Sequence, residues 1–373
     1  MAKKSVQDSS EIRASIANVA ARFAAFKPGA TVLTNVRGVR TIFPQIDAAT
    51  RVGGWPIERI GLVHGPSAEG KTALELGLGL SFLKHNHFFG LCDSEFTTTE
   101  DWVREMFGEF TDHPGFSALR PHSYEATRDA MKQWAETIGE ARDKGEIPKD
   151  TTGLLVIDSL KKLVPERMLE KLEKDATADG VGLDGMAGRA AMYKAALNGQ
   201  LMDEFVPLAY HAKIALLLIG REMENANAGP WDPTYKLGGG KSIFFDSSIV
   251  ARVSRSYYKE GDVVAGERHL VRIYKSKVGG KEGKYTDSYF HTSIGTVCKP
   301  GFDLASDVLE MAIESKVMAK KGGRHWLMDG GEVLGTSEAE TLRYLREHET
   351  ELKELEEKAR VAYKPTEYEV PNG

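Results

Sequence analysis

The sequence predicts an α/β fold built on a mostly parallel central sheet, and three observations carry that expectation. Short runs rich in Val, Ile and Leu, at Arg59 to His64, Phe88 to Cys92, Leu154 to Ile157 and Ile214 to Ile219, alternate with helical patterns between about residues 60 and 290. Short apolar runs joined by long crossovers imply parallel strands with both faces covered. The first run leads into Gly65-Pro66-Ser67-Ala68-Glu69-Gly70-Lys71-Thr72, a G-x-x-x-x-G-K-T pattern set between a strand and a helix. Later segments, Ile249 to Tyr257 and Arg268 to Tyr274, mix apolar and polar residues more evenly and predict edge or antiparallel strands.

The flanks read differently. Ile12, Ile16, Val19, Ala20 and Phe23 share one helical face, Asp8 and Glu11 are spaced as a capping box, and Pro28-Gly29 follows, so residues 8 to 26 predict an amphipathic helix with an extended arm after it. Beyond Cys298 the pattern predicts a helix over Leu304 to Lys320, a hairpin around Asp329-Gly330-Gly331, and a charged helix after Gly335 capped by Ser337 and Glu340. The residues after Tyr363 read as a loose tail.

Composition excludes several function classes. With 373 residues, 41% hydrophobic and 28% charged, the chain can bury a full α/β core. A net charge of -5 excludes a simple polybasic strip, so any nucleic-acid site is local. Two cysteines, Cys92 and Cys298, make no disulfide framework and show no metal-ligand spacing. No apolar signal core follows Met1-Ala2-Lys3-Lys4, and Ile214 to Ile219 is too short to span a bilayer. The expectation is a cytoplasmic protein with no membrane partner.

The phosphate loop assigns roles residue by residue. Gly65 and Gly70 permit the tight loop, Lys71 neutralises phosphate charge, and Thr72 offers a hydroxyl to Mg2+. A magnesium site also needs a carboxylate at the end of a neighbouring strand, and Asp158 ends Leu154-Leu155-Val156-Ile157-Asp158. Hydrolysis needs a group to orient or deprotonate water; Glu95, just past the strand Phe88 to Cys92, is the candidate, with Asp93 as competitor. Trp102 is placed either to stack on adenine or to fill the core. Gly238-Gly239-Gly240 before a helix starting near Lys241 forms a second place where free N–H groups can meet phosphate, with Lys241 and Arg189 adding charge. Trp231 and Tyr235 either stack on bases or anchor their loop.

Taken together, Gly65 to Thr72, Cys92 to Glu95, Val156-Ile157-Asp158-Ser159, Gly238-Gly239 and Lys275-Ser276-Lys277 resemble the RecA family of homologous-recombination ATPases over nearly the whole chain. Asp93-Ser94-Glu95-Phe96 is similar to phage members, which adds a phage-infected host to the bacterial cell as a setting. The resemblance implies a RecA-like P-loop ATPase core over residues 34 to 297, an N-terminal oligomerisation helix and arm over 1 to 33, and a small C-terminal α/β lobe over 298 to 373.

It further implies that Gly65 to Ala73, Trp102, Asp158, Ser159 and Arg221 bind ATP and Mg2+, and that Glu95 activates water. Lys275 and Lys277 would reach the neighbouring subunit's nucleotide. Two long stretches, Glu166 to Gly185 and Met223 to Gly239, become the DNA-binding loops; the first is net acidic and cannot grip phosphate by charge. One departure stands out: the family usually has a glutamine where this chain has Arg221, and Arg is not equivalent to a neutral amide. The implied protein is a recombinase forming filaments on single-stranded DNA and pairing it with homologous duplex DNA, with a single-strand-binding protein and a loading mediator as further partners. A hexameric helicase or motor on the same core and a non-hydrolysing recombination mediator are the alternatives.

Overall fold

The computed structural model describes residues 35–160, 162–166, 184–224, 235–238, 241–280, 282–321, 324–327, 331 and 333–363, with isolated positions 13, 16–18 and 21. The chain separates into two units, residues 1–36 and 37–373. In the first, Arg13 and Ile16 to Asn18 are helical, inside the helix expected over 8 to 26; the rest of that helix and nearly all of its arm lie outside the described residues.

The second unit runs β1 (Gly38–Val39), α1 (Pro44–Thr50), β2 (Trp55–Pro56), β3 (Arg59–Gly65), α2 (Lys71–Lys84), β4 (Phe88–Asp93), α3 (Glu100–Phe107), β5 (Phe116–Leu119), α4 (Tyr124–Asp143), β6 (Gly153–Asp158) and α5 (Asp184–His211). Next come β7 (Ala215–Glu224), β8 (Tyr235–Leu237), α6 (Lys241–Asp246), β9 (Ile249–Glu260), β10 (Val263–Ser276), β11 (Ser288–Ser293) and β12 (Gly301–Phe302). The final segment holds α7 (Leu304–Glu314), β13 (Met318–Lys321), β14 (Arg324–Leu327), β15 (Val333–Gly335), α8 (Glu338–Glu347) and α9 (Glu349–Ala362).

The fold is α/β. Its large sheet has the order β12-β11-β10-β9-β3-β7-β6-β4-β5, with β8 hanging from β7. Strands β5 through β9 in this order run parallel, and β10 to β12 continue the sheet antiparallel. Side chains alternate across the pleat, so each parallel strand feeds two cores. Val63, Val156, Leu217 and Ala251 pack on one face, and Leu62, Ile157, Leu218 and Val250 on the other. That double burial is why these strands read as unbroken apolar runs.

Strand β9 pairs antiparallel with β10, one of the two alternatives expected for it, and parallel with β3, so it is interior; its first residues Ile249, Val250, Ala251 and Val253 are buried, while its outer half carries the polar residues. The C-terminal expectations need correction. The helix expected over Leu304 to Lys320 ends at Glu314, because Lys316 adopts a left-handed conformation (φ 62°) and Met318 turns into the strand β13, paired with β14. The charged helix after Gly335 is two helices meeting at His348. Ser337 caps the first by accepting from the Glu340 N–H at 3.2 Å, but the Glu340 carboxylate accepts from the Thr336 N–H and hydroxyl. Strands β14 and β15 pair where the hairpin was expected; Asp329 and Gly330 lie outside the described residues.

The last segment has its own core of Val308, Leu309, Met311, Ala312, Met318, Leu342, Leu345, Leu355 and Ala359. Buried ion pairs fasten it to β9 and α1. Arg346 donates to Asp303 and Glu260 at 2.6 and 2.5 Å, and Arg360 to Asp47 at 2.6 Å.

Candidate nucleotide site

The carboxyl ends of four adjacent strands, β3, β7, β6 and β4, carry most of the candidate residues, because the order β3-β7-β6-β4 brings together segments far apart in sequence. The edge beyond the carboxyl ends of parallel strands is where open α/β sheets bind ligands. The loop Gly65 to Gly70 leaves β3 and enters α2 at Lys71. Ala68 (φ 62°) and Gly70 (φ 93°) are both left-handed, and alternation with left-handed residues is the backbone geometry of anion-binding concavities. A side chain at Gly70 would also run into the His269 ring. Glu69 fixes the loop from outside by accepting the Arg255 N–H at 2.6 Å.

Within the loop, Lys71 Nζ donates to the carbonyls of Gly65 and Pro66 at 3.1 and 2.5 Å. Burial pushes its ammonium below the usual lysine range, and Asp158 pulls it back up. Thr72 Oγ1 donates to Asp158 Oδ2 at 3.2 Å. Burial, and then the nearby Glu95 carboxylate, push the Asp158 carboxyl up to about 6. A hydroxyl beside a carboxylate at the start of a phosphate-loop helix is the hard oxygen set that Mg2+ accepts when phosphates and water supply its remaining ligands. No group of three or more His, Cys, Asp or Glu side chains forms a metal cage among the described residues.

The two acids after β4 have separate partners. Asp93 shapes the turn: its oxygens accept the N–H groups of Thr97 and Thr98 at 3.4 and 3.1 Å, with Arg120 3.7 Å away. Glu95 instead faces β6 and β7, accepting from Ser159 Oγ at 2.6 Å and from Arg221. Arg221 and Glu95 thus form an ion pair at the site's centre. Trp102 lies on α3, half-buried against the larger core.

Arg221 also meets the second expected DNA loop. Strand β7 extends to Glu224 and β8 pairs back on it, and the Gly238 N–H donates to the Arg221 carbonyl at 3.2 Å; residues 225–234 lie outside the described residues. Tyr235 sits with its ring 5.2 Å from the Arg252 guanidinium, anchoring the returning strand. Trp231, Gly239 and Gly240, and most of the first loop, lie outside the described residues; Arg189 is on α5 and Lys241 opens α6, with side chains outside them. Lys275 and Lys277 are elsewhere. Lys275 Nζ donates to the carbonyls of Phe244 and Phe245 at 2.7 and 2.6 Å, and Lys277 Nζ to Phe245 at 2.7 Å, at the end of α6.

Two features escaped sequence reading. His64, directly before the loop, bonds Glu222 at 2.9 Å, and Glu222 takes both arms of Arg252 at 2.7 and 3.1 Å. Their pairing across β3, β7 and β9 has no local signal. Glu75 has one: an acid in the apolar run Ala73-Leu74-Glu75-Leu76-Gly77-Leu78, three residues after Thr72. It is fully buried on α2.

Comparison with known proteins finds similarity to RecA proteins. The chain is 27% identical over 322 residues to the protein RecA of Acholeplasma laidlawii, covering 86% of each. To the RecA of Syntrophus aciditrophicus it is 26% identical over 317 residues, 85% of this chain and 81% of that one. Proteins named RecA thus match about 86% of the chain at 24–27% identity, which supports a RecA-family member. Another RecA, from Lactobacillus johnsonii, is 25% identical over 341 residues, 91% of this chain and 84% of its own. No protein-family model matches. No helix among the described residues is long and apolar enough to cross a membrane.

Proposed function

We propose that this chain is an ATP-dependent DNA recombinase: it forms a filament on single-stranded DNA, hydrolyses ATP in response to DNA, and promotes pairing and strand exchange with a homologous duplex. The observation that carries the reading is the convergence of the phosphate loop, the Thr72–Asp158 contact and Glu95 at the ends of adjacent strands. Gly65 to Ala73 bind the phosphates, Lys71 leaving its loop carbonyls for them. Thr72 and Asp158, with Ser159 beside them, hold Mg2+, which when bound neutralises charge on the phosphate oxygens. Glu95 orients and deprotonates the attacking water. Arg221 reads the terminal phosphate, and Trp102 borders the base.

Three parts divide the work: residues 1–33 dock on the next subunit, 34–297 form the ATPase core, and 298–373 form a peripheral lobe. Lys275 and Lys277 complete the neighbour's site. Head-to-tail contacts that do not close produce filaments. Single-stranded DNA is held by the two loops, with Trp231 and Gly238-Gly239-Gly240 contacting it and Arg189 and Lys241 adding side-chain contacts. A single-strand-binding protein and a loading mediator are the expected accessory partners.

The test is ATP hydrolysis with and without single-stranded DNA, alongside Glu95→Gln. DNA should stimulate the parent, and the variant should lose on the order of 10²-fold or more in rate while still binding nucleotide. Lack of stimulation would remove the recombinase reading. Closed rings on DNA in electron micrographs would point to a helicase or motor instead.

A further inference from the structure

In the mechanism above, hydrolysis depends on where Glu95 points, and the residue before it is tied to a neighbouring strand by its side chain. Ser94 is buried and directly follows β4. The pairing of β4 with β6 runs as far as Asp93 with Asp158, and the Ser94 N–H carries it one step further, donating to the Asp158 carbonyl at 2.7 Å. The Ser94 hydroxyl then reaches the next residue along. Its Oγ accepts the Ser159 N–H at 2.9 Å and lies 2.8 Å from the Ser159 carbonyl and 3.1 Å from that of Asp158, to one of which it donates.

The link returns to the β4 side through Ser159, which is fully buried. Ser159 Oγ donates to Glu95 Oε1 at 2.6 Å. Ser94 thus grips the backbone of Ser159, and Ser159 grips the carboxylate of the residue after Ser94. The other Glu95 oxygen, Oε2, faces Arg221. When Arg221 turns to a terminal phosphate, the Ser159 hydroxyl still holds Oε1 and sets where the freed oxygen points. The strand pairing itself needs no side chain at position 94, because the Ser94 N–H makes it. An alanine there would leave the buried Ser159 N–H without this acceptor, so Ser159 would have to shift or admit water.

We propose that Ser94 is a positioning residue for hydrolysis: its hydroxyl fixes Ser159, and through Ser159 it aims Glu95 at the attacking water. This rests on the reading of Glu95 as the water-activating group. Misplacing a reacting group by about 1 Å costs on the order of 10²-fold in rate. The phosphate loop follows β3 and is held by its own contacts, so nucleotide binding does not pass through Ser94.

The test measures steady-state ATP hydrolysis on single-stranded DNA by the full-length protein, by Ser94→Ala, Ser159→Ala and the double variant, and by Glu95→Gln. Ser94→Ala should lower kcat by about 10- to 100-fold, with KM and the affinity for a fluorescent, slowly hydrolysed ATP analogue within about twofold of the parent. In the Ser159→Ala background the same change should cost less than about twofold, because the link to Glu95 is already cut. A Ser94→Ala kcat within about twofold of the parent overturns the proposal. So does a matching loss of analogue affinity, which marks a packing role, and so do losses that multiply in the double variant, which mark independent effects. Glu95→Gln hydrolysing at the parent's rate overturns the reading of Glu95 and the Ser94 assignment with it. An impaired Glu95→Gln beside an unimpaired Ser94→Ala overturns the Ser94 assignment alone.

Discussion

Arg221 occupies the position at which three parts of the molecule meet. Its guanidinium pairs with Glu95, its carbonyl receives the Gly238 N–H, and its neighbour Glu222 holds His64 and Arg252. An Arg carries a fixed charge that a glutamine lacks, so it can form an ion pair with Glu95 and a charge-assisted bond with a phosphate. In the proposed mechanism, exchanging one partner for the other would make Arg221 sensitive to the third phosphate. Arg221→Gln should therefore weaken binding of an ATP analogue by about tenfold, the value of one charge-assisted bond, and change ADP binding little. Equal losses for both nucleotides, measured by fluorescence titration, would show that Arg221 does not read the terminal phosphate. Glu95 became distinguishable from Asp93 only at this scale. Both are acids after a strand, and which one is occupied by turn N–H groups depends on where the chain bends.

The elements that close the C-terminal segment onto the rest of its unit depend on buried charge. Arg346 of α8 lies between Glu260 of β9 and Asp303, whose side chains are 6% and 2% exposed. Removing one partner of such a pair strands the others, which typically costs about 3–5 kcal/mol. Arg346→Ala should lower the urea midpoint accordingly, and a change under about 1 kcal/mol would mean that water replaces the guanidinium. A second junction joins β11 to α7, where His291 Nδ1 meets Asp307 Oδ1 at 2.8 Å. Burial raises the Asp307 carboxyl to about 7, against the pull of His291. A folded value above the unfolded one means that its contribution to stability is full below about pH 4 and is lost as pH rises through about 7. Asp307→Asn does not titrate, so it should gain stability relative to the parent between pH 5 and 8. Parallel urea midpoints across that range would remove Asp307 as the cause.

For the molecule as a whole, the decisive feature is the side of the sheet taken by Lys275, near the end of β10, and Lys277, just beyond it. Lys275 pairs with Val250, which pairs with Leu62, and the Lys277 N–H bonds Ser248, whose own N–H bonds Ile60. Both lie toward the amino end of β3, away from the phosphate loop that follows Gly65, and both hold the end of α6. This favours action on another subunit's nucleotide. If so, Lys71→Ala subunits and subunits carrying Lys275→Ala with Lys277→Ala should each be inactive, yet recover hydrolysis when mixed. In a random one-to-one filament about a quarter of interfaces would be complete. No recovery in a mixture that still assembles on DNA would place the lysines in their own subunit's chemistry.

Much of this was legible in the amino-acid order alone. The parallel strands declared themselves because burial on both faces demands apolar residues at every position, and the phosphate loop because its glycines, Lys71 and Thr72 are contiguous. Local order also determined Asp158 and Glu95 as candidates, since each follows an apolar run. Tertiary structure alone decided what those residues touch. Strand order placed β3, β7, β6 and β4 side by side, joining Thr72 to Asp158 and Glu95 to Arg221 across long stretches of sequence. It also ended α7 at Glu314, where the pull of Met318 into a strand outweighed helix-forming composition. Periodicity records which face of an element is buried; it carries no information about which other element buries it, and that pairing is what set Ser94 against Ser159.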